Sequence, residues 1–325
     1  MDILIVVILP FLLTVIITPI LIPFLRKMHF GQSILQIGPK WHNKKQGTPT
    51  MGGIAFILSI IISSIVYFIY SGPFNPAQSF LVSNTTSFLF LLLPALAFGL
   101  IGFLDDYVKV VKKQNLGLRA WQKFGLQILV SIIFAIYYMR SFGTNIIVPF
   151  AGNINIGWWF LPYAVFILVG VSNAVNLTDG VDALVSTLIP ISIIALLLIS
   201  TGISSLIPII VGSAVLGFLV YNRNPAKIFM GDTGSLFLGG FLAVYAINNP
   251  IALLLVGIIY FIETFSVILQ VAFFKTTGRR IFKMSPIHHH FEMSGWNEKK
   301  IVIIFALVTI IFSILAYIMP YRSIF

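Results

Sequence analysis

Apolar residues in this chain come in long unbroken runs, not in the spaced stripes of a surface helix or the alternation of a half-buried strand. Ten such runs start near Ile3, Gly52, Phe88, Phe124, Trp158, Ala183, Leu206, Leu236, Ile251 and Ile301. A run of about 20 apolar residues matches a hydrocarbon layer of roughly 30 Å. Inside lipid each backbone polar group has to be paired within its own segment, so each run is predicted to be a transmembrane α-helix. Two stretches, 183–219 and 236–274, are each divided into two spans by a turn, at Thr201-Gly202 and at Asn248-Asn249-Pro250. The first run lacks the small-residue cleavage site of a signal peptide and is long enough to span, so it is read as retained. The expectation is an all-α polytopic membrane protein with ten transmembrane helices in one domain, residues 1–325. No soluble domain, Ser- or Pro-rich linker or internal repeat interrupts it.

Composition supports this reading. Of 325 residues, 58% are hydrophobic and 9% charged, against about 25% charged in a soluble globular chain. The absence of cysteine excludes disulfides, thiolate nucleophiles and thiolate metal sites. A net charge of +11 would suggest nucleic acid in a soluble protein, but here its placement points to a bilayer instead. Connections assigned alternately to two sides put 26–49, 105–123, 176–182, 222–235 and 274–300 together. These hold 18 of the 20 Lys and Arg residues, and the opposite side holds Arg140 and Arg322. The positive-inside rule makes the basic side cytoplasmic and both termini extracytoplasmic. Ser71–Ser87 and Ser141–Gly157, on the other side, read as plain connectors.

The polar chemistry gathers on that same basic side. All five histidines lie there (His29, His42, His288, His289, His290), as do Asp105, Asp106, Asp179, Asp182, Asp232, Glu292 and Glu298. Asp105-Asp106 closes the third span. Adjacent helical side chains diverge by about 100°, so one carboxylate can hold a hard cation while the other meets the reacting group. As a mere solvated helix end the pair would oppose the helix dipole. Asn176-Leu177-Thr178-Asp179-Gly180-Val181-Asp182 joins the fifth and sixth spans and reads equally as a helix cap or as a site. Met230-Gly231-Asp232-Thr233-Gly234-Ser235 opens the eighth span, where Asp232 can cap the helix or can offer a carboxylate beside backbone N–H groups that favour phosphate. Gly47–Gly53 follows Lys44 and Lys45. A turn explains its Gly and Pro, and a phosphate contact explains the lysines as well. Pro286–Glu292 carries three consecutive histidines without usual zinc spacing, which suits imidazoles donating to phosphate oxygens. Glu263 is the one acid well inside a span. With Gln270 on nearly the same face, it reads as a polar contact between helices. Hard oxygen ligands beside lysines and histidines are what Mg²⁺-assisted chemistry on phosphates requires.

These strings together resemble the phospho-N-acetylmuramoyl-pentapeptide transferase family, a branch of the polyprenyl-phosphate N-acetylhexosamine-1-phosphate transferases. The resemblance covers the whole chain. Asp105-Asp106, Asn176–Asp182 and Asn222–Ser235 are shared across the superfamily, while Gly47–Gly53 and Pro286–Glu292 point to the muramoyl-pentapeptide branch. It implies transfer of phospho-N-acetylmuramoyl-pentapeptide from its UDP carrier to undecaprenyl phosphate at a bacterial plasma membrane, releasing UMP and lipid I. It also implies Mg²⁺ as cofactor with Asp232 as its ligand. Asp105, Asp106, Asp232 and His288 take the catalytic positions. Lys45, Thr50, Lys109, Asn176, Asp179, Asp182, Asn222, Phe229, His289 and His290 take the substrate-binding ones. An Asp that accepts a proton and an Asp that attacks the phosphate both fit, and a homodimer is compatible with the sequence. Two other readings stay open, a sister enzyme using another UDP-N-acetylhexosamine and a membrane transporter. The transporter is disfavoured because its site would lie near the bilayer midplane, whereas seven acids lie at the basic face and only Glu263 lies within a span.

Overall fold

The computed structural model describes residues 4–28, 45, 47–70, 83–111, 117–199 and 206–320. His29, His42, Lys44 and the Thr201-Gly202 turn lie outside the described residues. Among the described residues the helices are α1 (Leu9–Lys27, entered through a π-helical turn at Leu4–Ile8), α2 (Gly53–Tyr70), α3 (Ser83–Val111) and α4 (Ala120–Phe142). Then follow α5 (Phe160–Thr178), α6 (Leu184–Ile199), α7 (Ile207–Asn222), α8 (Gly231–Tyr245) and α9 (Pro250–Val256). The chain continues with α10 (Ile258–Thr277), α11 (Ile287–Glu292) and α12 (Glu298–Ile318). The fold is all-α, as the unbroken apolar runs predict.

Each of the ten runs falls on a helix, but the one from Ile251 falls on two, because the chain breaks at Gly257 between α9 and α10. Asn249 caps α9, its Oδ1 accepting from the Ala252 N–H at 3.1 Å. Among the described residues, seven helical segments are long and apolar enough to cross a membrane. They are Leu4–Lys27, Gly53–Tyr70, Phe90–Val110, Ala120–Phe142, Gly157–Thr178, Ile258–Thr277 and Glu298–Ile318. Helices α6, α7 and α8 have 16, 16 and 15 residues, about 22–24 Å at 1.5 Å per residue.

Helix α8 is the centre of the bundle. Every residue from Thr233 to Tyr245 is buried, and its main neighbours are α3 and α5. A helix apolar on all sides is stable only when surrounded. The peripheral helices expose large apolar side chains instead, among them Ile20, Phe166, Ile268 and Ile311, as contact with lipid tails allows.

One connector departs from expectation. Residues 141–157 contain an antiparallel hairpin, β1 (Asn145–Val148) paired with β2 (Gly152–Asn155). Asn-Ile-Ile-Val is too short for its β-branched content to stand out, and tertiary contacts fix it. The Ile147 N–H donates to the Asn248 carbonyl at 2.6 Å, and the Phe150 N–H to the Pro320 carbonyl at 3.2 Å.

At the end of the bundle away from this hairpin, the C-terminal ends of α3 and α5 meet the N-terminal ends of α4, α8 and α12. Residues 49–53, leading into α2, run beside 229–230. The Phe229 N–H donates to the Pro49 carbonyl (2.9 Å), and the Gly52 and Gly53 N–H groups donate to the Phe229 and Met230 carbonyls (2.8 and 2.9 Å).

Candidate active site

Three carboxylates converge where α3 and α8 cross. Asp105, Asp106 and Asp232 each place an oxygen within 4.8 Å of the others. The approach requires glycine, because a Cβ on Gly102 would collide with the Asp232 backbone. Gly231 turns the chain into α8 at φ +71, and a Cβ there would lie 2.6 Å from Asp106 Oδ2 and 2.8 Å from Thr50 Oγ1. That places the Thr50 hydroxyl at the rim of the cluster.

Each acid is held separately. Asp106 Oδ2 accepts from the Thr233 N–H at 2.9 Å and from its hydroxyl at 2.8 Å, so α8 offers its N-terminal N–H and positive dipole end to this carboxylate. Asp105 Oδ1 accepts from the Leu118 N–H at 2.9 Å. Asp232 Oδ1 accepts from Asn176 Nδ2 at 2.9 Å, and that same amide reaches Ser235 Oγ at 2.8 Å. Two lysines balance the charge. Lys109 Nζ lies 2.7 Å from Asp105, 3.6 Å from Asp106 and 3.1 Å from Asp232, and Lys123 Nζ lies 2.7 Å from Asp232. Like-charged carboxylates this close need such cations to stay ionised together.

A second polar network adjoins the first. Lys45 Nζ bridges Asp182 and Glu298, each at 2.7 Å. Asp182 Oδ2 also accepts from the Ala226 N–H (2.8 Å), and Asn224 Nδ2 donates to Glu298 at 3.1 Å. Burial opposes the charge on Lys45, but the Glu298 and Asp182 carboxylates outweigh it and raise its pKa. A cavity of about 550 Å³ opens here, lined by Asn224, Glu292, Trp296 and Glu298 among others. Between the two networks stands Asp179, just past α5. Burial, reinforced by the negative charge of Asp232, Asp106 and Asp182, pushes its carboxyl well above the usual carboxylate range.

Several expected residues serve the scaffold. The buried Asn222 amide accepts from Ala183 N–H (3.2 Å) and Ser186 Oγ (2.7 Å) and donates to the Ile228 carbonyl (3.0 Å). The backbone of Phe229 ties α8 to residues 49–52. In the histidine tract, His289 Nδ1 meets Glu292 at 2.6 Å, and His290 Nδ1 accepts from the Lys283 N–H at 3.1 Å. His288 is 0% exposed and packs on Gly180, so the tract reaches the site through the Asn176–Asp182 turn. Glu263 makes a polar contact between helices, as expected, from α10 to this tract on α11, where its carboxylate lies 3.0 Å from His288 Nδ1. Gln270, on nearly the same face of α10, binds the backbone of Ile281 and Phe282.

Sequence reasoning singled out neither Lys123 nor Glu298 for the site. A lysine in the first turn of α4 faces the positive end of the helix dipole, and that local conflict was a readable sign of a tertiary anion. Glu298 carried no such sign, because an acid in a helix's first turn is ordinary.

The chain is similar to known proteins along nearly all its length. The family described as Glycosyl transferase family 4 matches residues 87–249, and the Phospho-N-acetylmuramoyl-pentapeptide-transferase signature 1 matches residues 45–57. The Phospho-N-acetylmuramoyl-pentapeptide-transferase of Staphylococcus carnosus is 49% identical over 315 residues, 94% of this chain and 95% of that protein. The one from Bacillus subtilis is 48% identical over 91% of this chain and 90% of its own. That of Listeria monocytogenes serovar 1/2a is 50% identical, with 91% of each covered. The signature spans Lys45, Thr50 and the segment bound to 229–230, and the larger match takes in the three converging carboxylates. The chain belongs to the phospho-N-acetylmuramoyl-pentapeptide-transferase family.

Proposed function

We propose that this protein transfers phospho-N-acetylmuramoyl-pentapeptide from its UDP carrier to undecaprenyl phosphate, yielding lipid I and UMP. The reading rests on family membership together with one structural observation, the Asp105–Asp106–Asp232 cluster with Lys109 and Lys123 against it. An anionic acceptor attacking an anionic diphosphate meets repulsion that positioned cations relieve. Lys109 and Lys123 supply fixed positive charge, and Asn176 orients Asp232 through its amide. Asp105 or Asp106 is placed to take a residual proton from the lipid phosphate.

Mg²⁺ suits this donor set. The site offers carboxylate oxygens with no nitrogen or sulfur ligand among them, and two ammonium groups already occupy positions favourable to cations. Asp232 is the proposed ligand, with Asp105 and Asp106 beside it. When bound, Mg²⁺ would neutralise the charge developing on the diphosphate oxygens. Asn176, Asp179 and the Lys45–Asp182 pair form the nucleotide end, with Thr50 between it and the acids. The basic side, and with it the site, is proposed to face the cytoplasm, following the distribution of Lys and Arg.

The test is a two-donor assay on purified protein in detergent with Mg²⁺ and undecaprenyl phosphate. UMP should be released from UDP-N-acetylmuramoyl-pentapeptide and far less from UDP-N-acetylglucosamine, because the lactyl-peptide portion supplies binding energy that positions the diphosphate. Equal use of both donors would move the protein to a sister branch. Release from neither would remove the transferase reading.

A further inference from the structure

Glu263 and His288 are both 0% exposed, and the chemistry above uses neither directly. A buried carboxylate in an apolar helix is costly unless it is paired, so its single partner is informative. Glu263 Oε1 lies 3.0 Å from His288 Nδ1, and Oε2 lies 3.4 Å from the His288 backbone N–H. One carboxylate therefore addresses both the ring and the main chain of one residue. Nδ1 and Glu263 Oε1 touch without completing a hydrogen bond, and on the far edge of the ring Nε2 is likewise buried without a hydrogen-bond partner among the described residues. It presses against Gly180, where any Cβ would collide with it. Gly180 follows Asp179 and precedes Val181 and Asp182, in the turn whose other end carries Asn176 on Asp232.

We infer that Glu263 is a positioning residue, which holds the His288 ring as a strut against the Asp179–Gly180 turn and so sets the nucleotide end of the site. The inference rests on the transferase reading. The carboxylate packs against the Nδ1 edge at 3.0 Å while its other oxygen accepts from the His288 backbone N–H, and these two points of contact fix the position of the ring. The strut links α10 and α11 to the turn after α5. Sequence spacing cannot show such a link, because Glu263 and Gly180 are 83 positions apart.

The experiment compares Glu263→Ala, Glu263→Gln, Gly180→Ala and the double variant Glu263→Ala/Gly180→Ala in the transfer assay, with thermal midpoints measured alongside. Glu263→Ala should lower kcat/KM for the nucleotide donor by about 10–100-fold, while KM for undecaprenyl phosphate stays within about twofold. Glu263→Gln keeps the shape and an oxygen that can accept from the His288 backbone N–H, so it should restore most of the activity. Gly180→Ala should reproduce the donor defect from the opposite side of the ring. Because both changes disable one strut, the double variant should be no worse than the poorer single variant. Wild-type donor kcat/KM in Glu263→Ala would overturn the inference. So would additive losses, or equal rises in KM for both substrates that track a fall in thermal midpoint. If the wild-type protein releases no UMP, the transferase reading fails and the inference falls with it. UMP release by the wild type with unaffected Glu263 variants removes the inference alone.

Discussion

Lys123, in the first turn of α4, places its ammonium 2.7 Å from Oδ2 of Asp232 on α8, the same oxygen that Lys109 approaches at 3.1 Å from α3. One carboxylate oxygen thus joins three helices. Lys123→Met should leave Lys109 holding Asp232, and with it the fold, while turnover falls by about 100-fold, the scale for one lost electrostatic contact at developing charge. Turnover and thermal midpoint measured together decide this. Unchanged turnover would reduce Lys123 to a structural cation.

The three acids differ in how they are held, and their variants should differ accordingly. Asp232→Asn should lower turnover by at least about 100-fold and abolish its dependence on Mg²⁺ concentration. Asp105→Asn and Asp106→Asn should also be severely impaired. Asp106→Ala should in addition lose stability, because no oxygen is left to accept from the two Thr233 groups. Normal Mg²⁺ dependence in Asp232→Asn would remove it as the ligand.

Asp179 trades stability for its position. Its carboxyl is raised in the folded chain, first by burial and then by neighbouring carboxylates, and returns to about 3.9 on unfolding. The folded state therefore binds more protons between those two values. The stability this group contributes is complete below about pH 4 and is lost as pH rises through the raised value. Asp179→Asn should melt above the wild type at about pH 8, with the gap closing toward about pH 4, and it should transfer poorly. A gap independent of pH would contradict the assignment.

The orientation is checked by accessibility. Single cysteines can be introduced freely because the chain has none. Positions 42, 115 and 278 should react only from the cytoplasm, and position 84 and both termini from outside. Labelling of any of the first three in intact cells would break the proposed topology.

The helices were legible because apolar runs carry their own length. The break at Gly257 was not, since α9 and α10 read as one continuous run. The Asp105-Asp106 pair could be picked out locally because it conflicts with what a helix end needs, whereas Asp232, an ordinary acid at a helix N-terminus, stands out only through its motif. The partners of Lys45 could not, because Asp182 and Glu298 come from segments with no marked spacing between them. Glu263 is visible as an anomaly that needs a polar contact with another helix, but which helix supplies it is not. A span suggests another span as neighbour, whereas the structure folds α11 back onto α10.

Glu298 opens α12, the last helix described, yet it closes the ion pairs of Lys45, which precedes α2. During synthesis Lys45 and Asp182 leave the ribosome well before this carboxylate does. A nascent chain can therefore bury its acid cluster early, but it completes the neighbouring network only when the final helix arrives. Truncation or stalling before Glu298 would leave the acid cluster beside a Lys45–Asp182 pair that lacks its third member, a polypeptide already in the bilayer with one of its two polar networks still open.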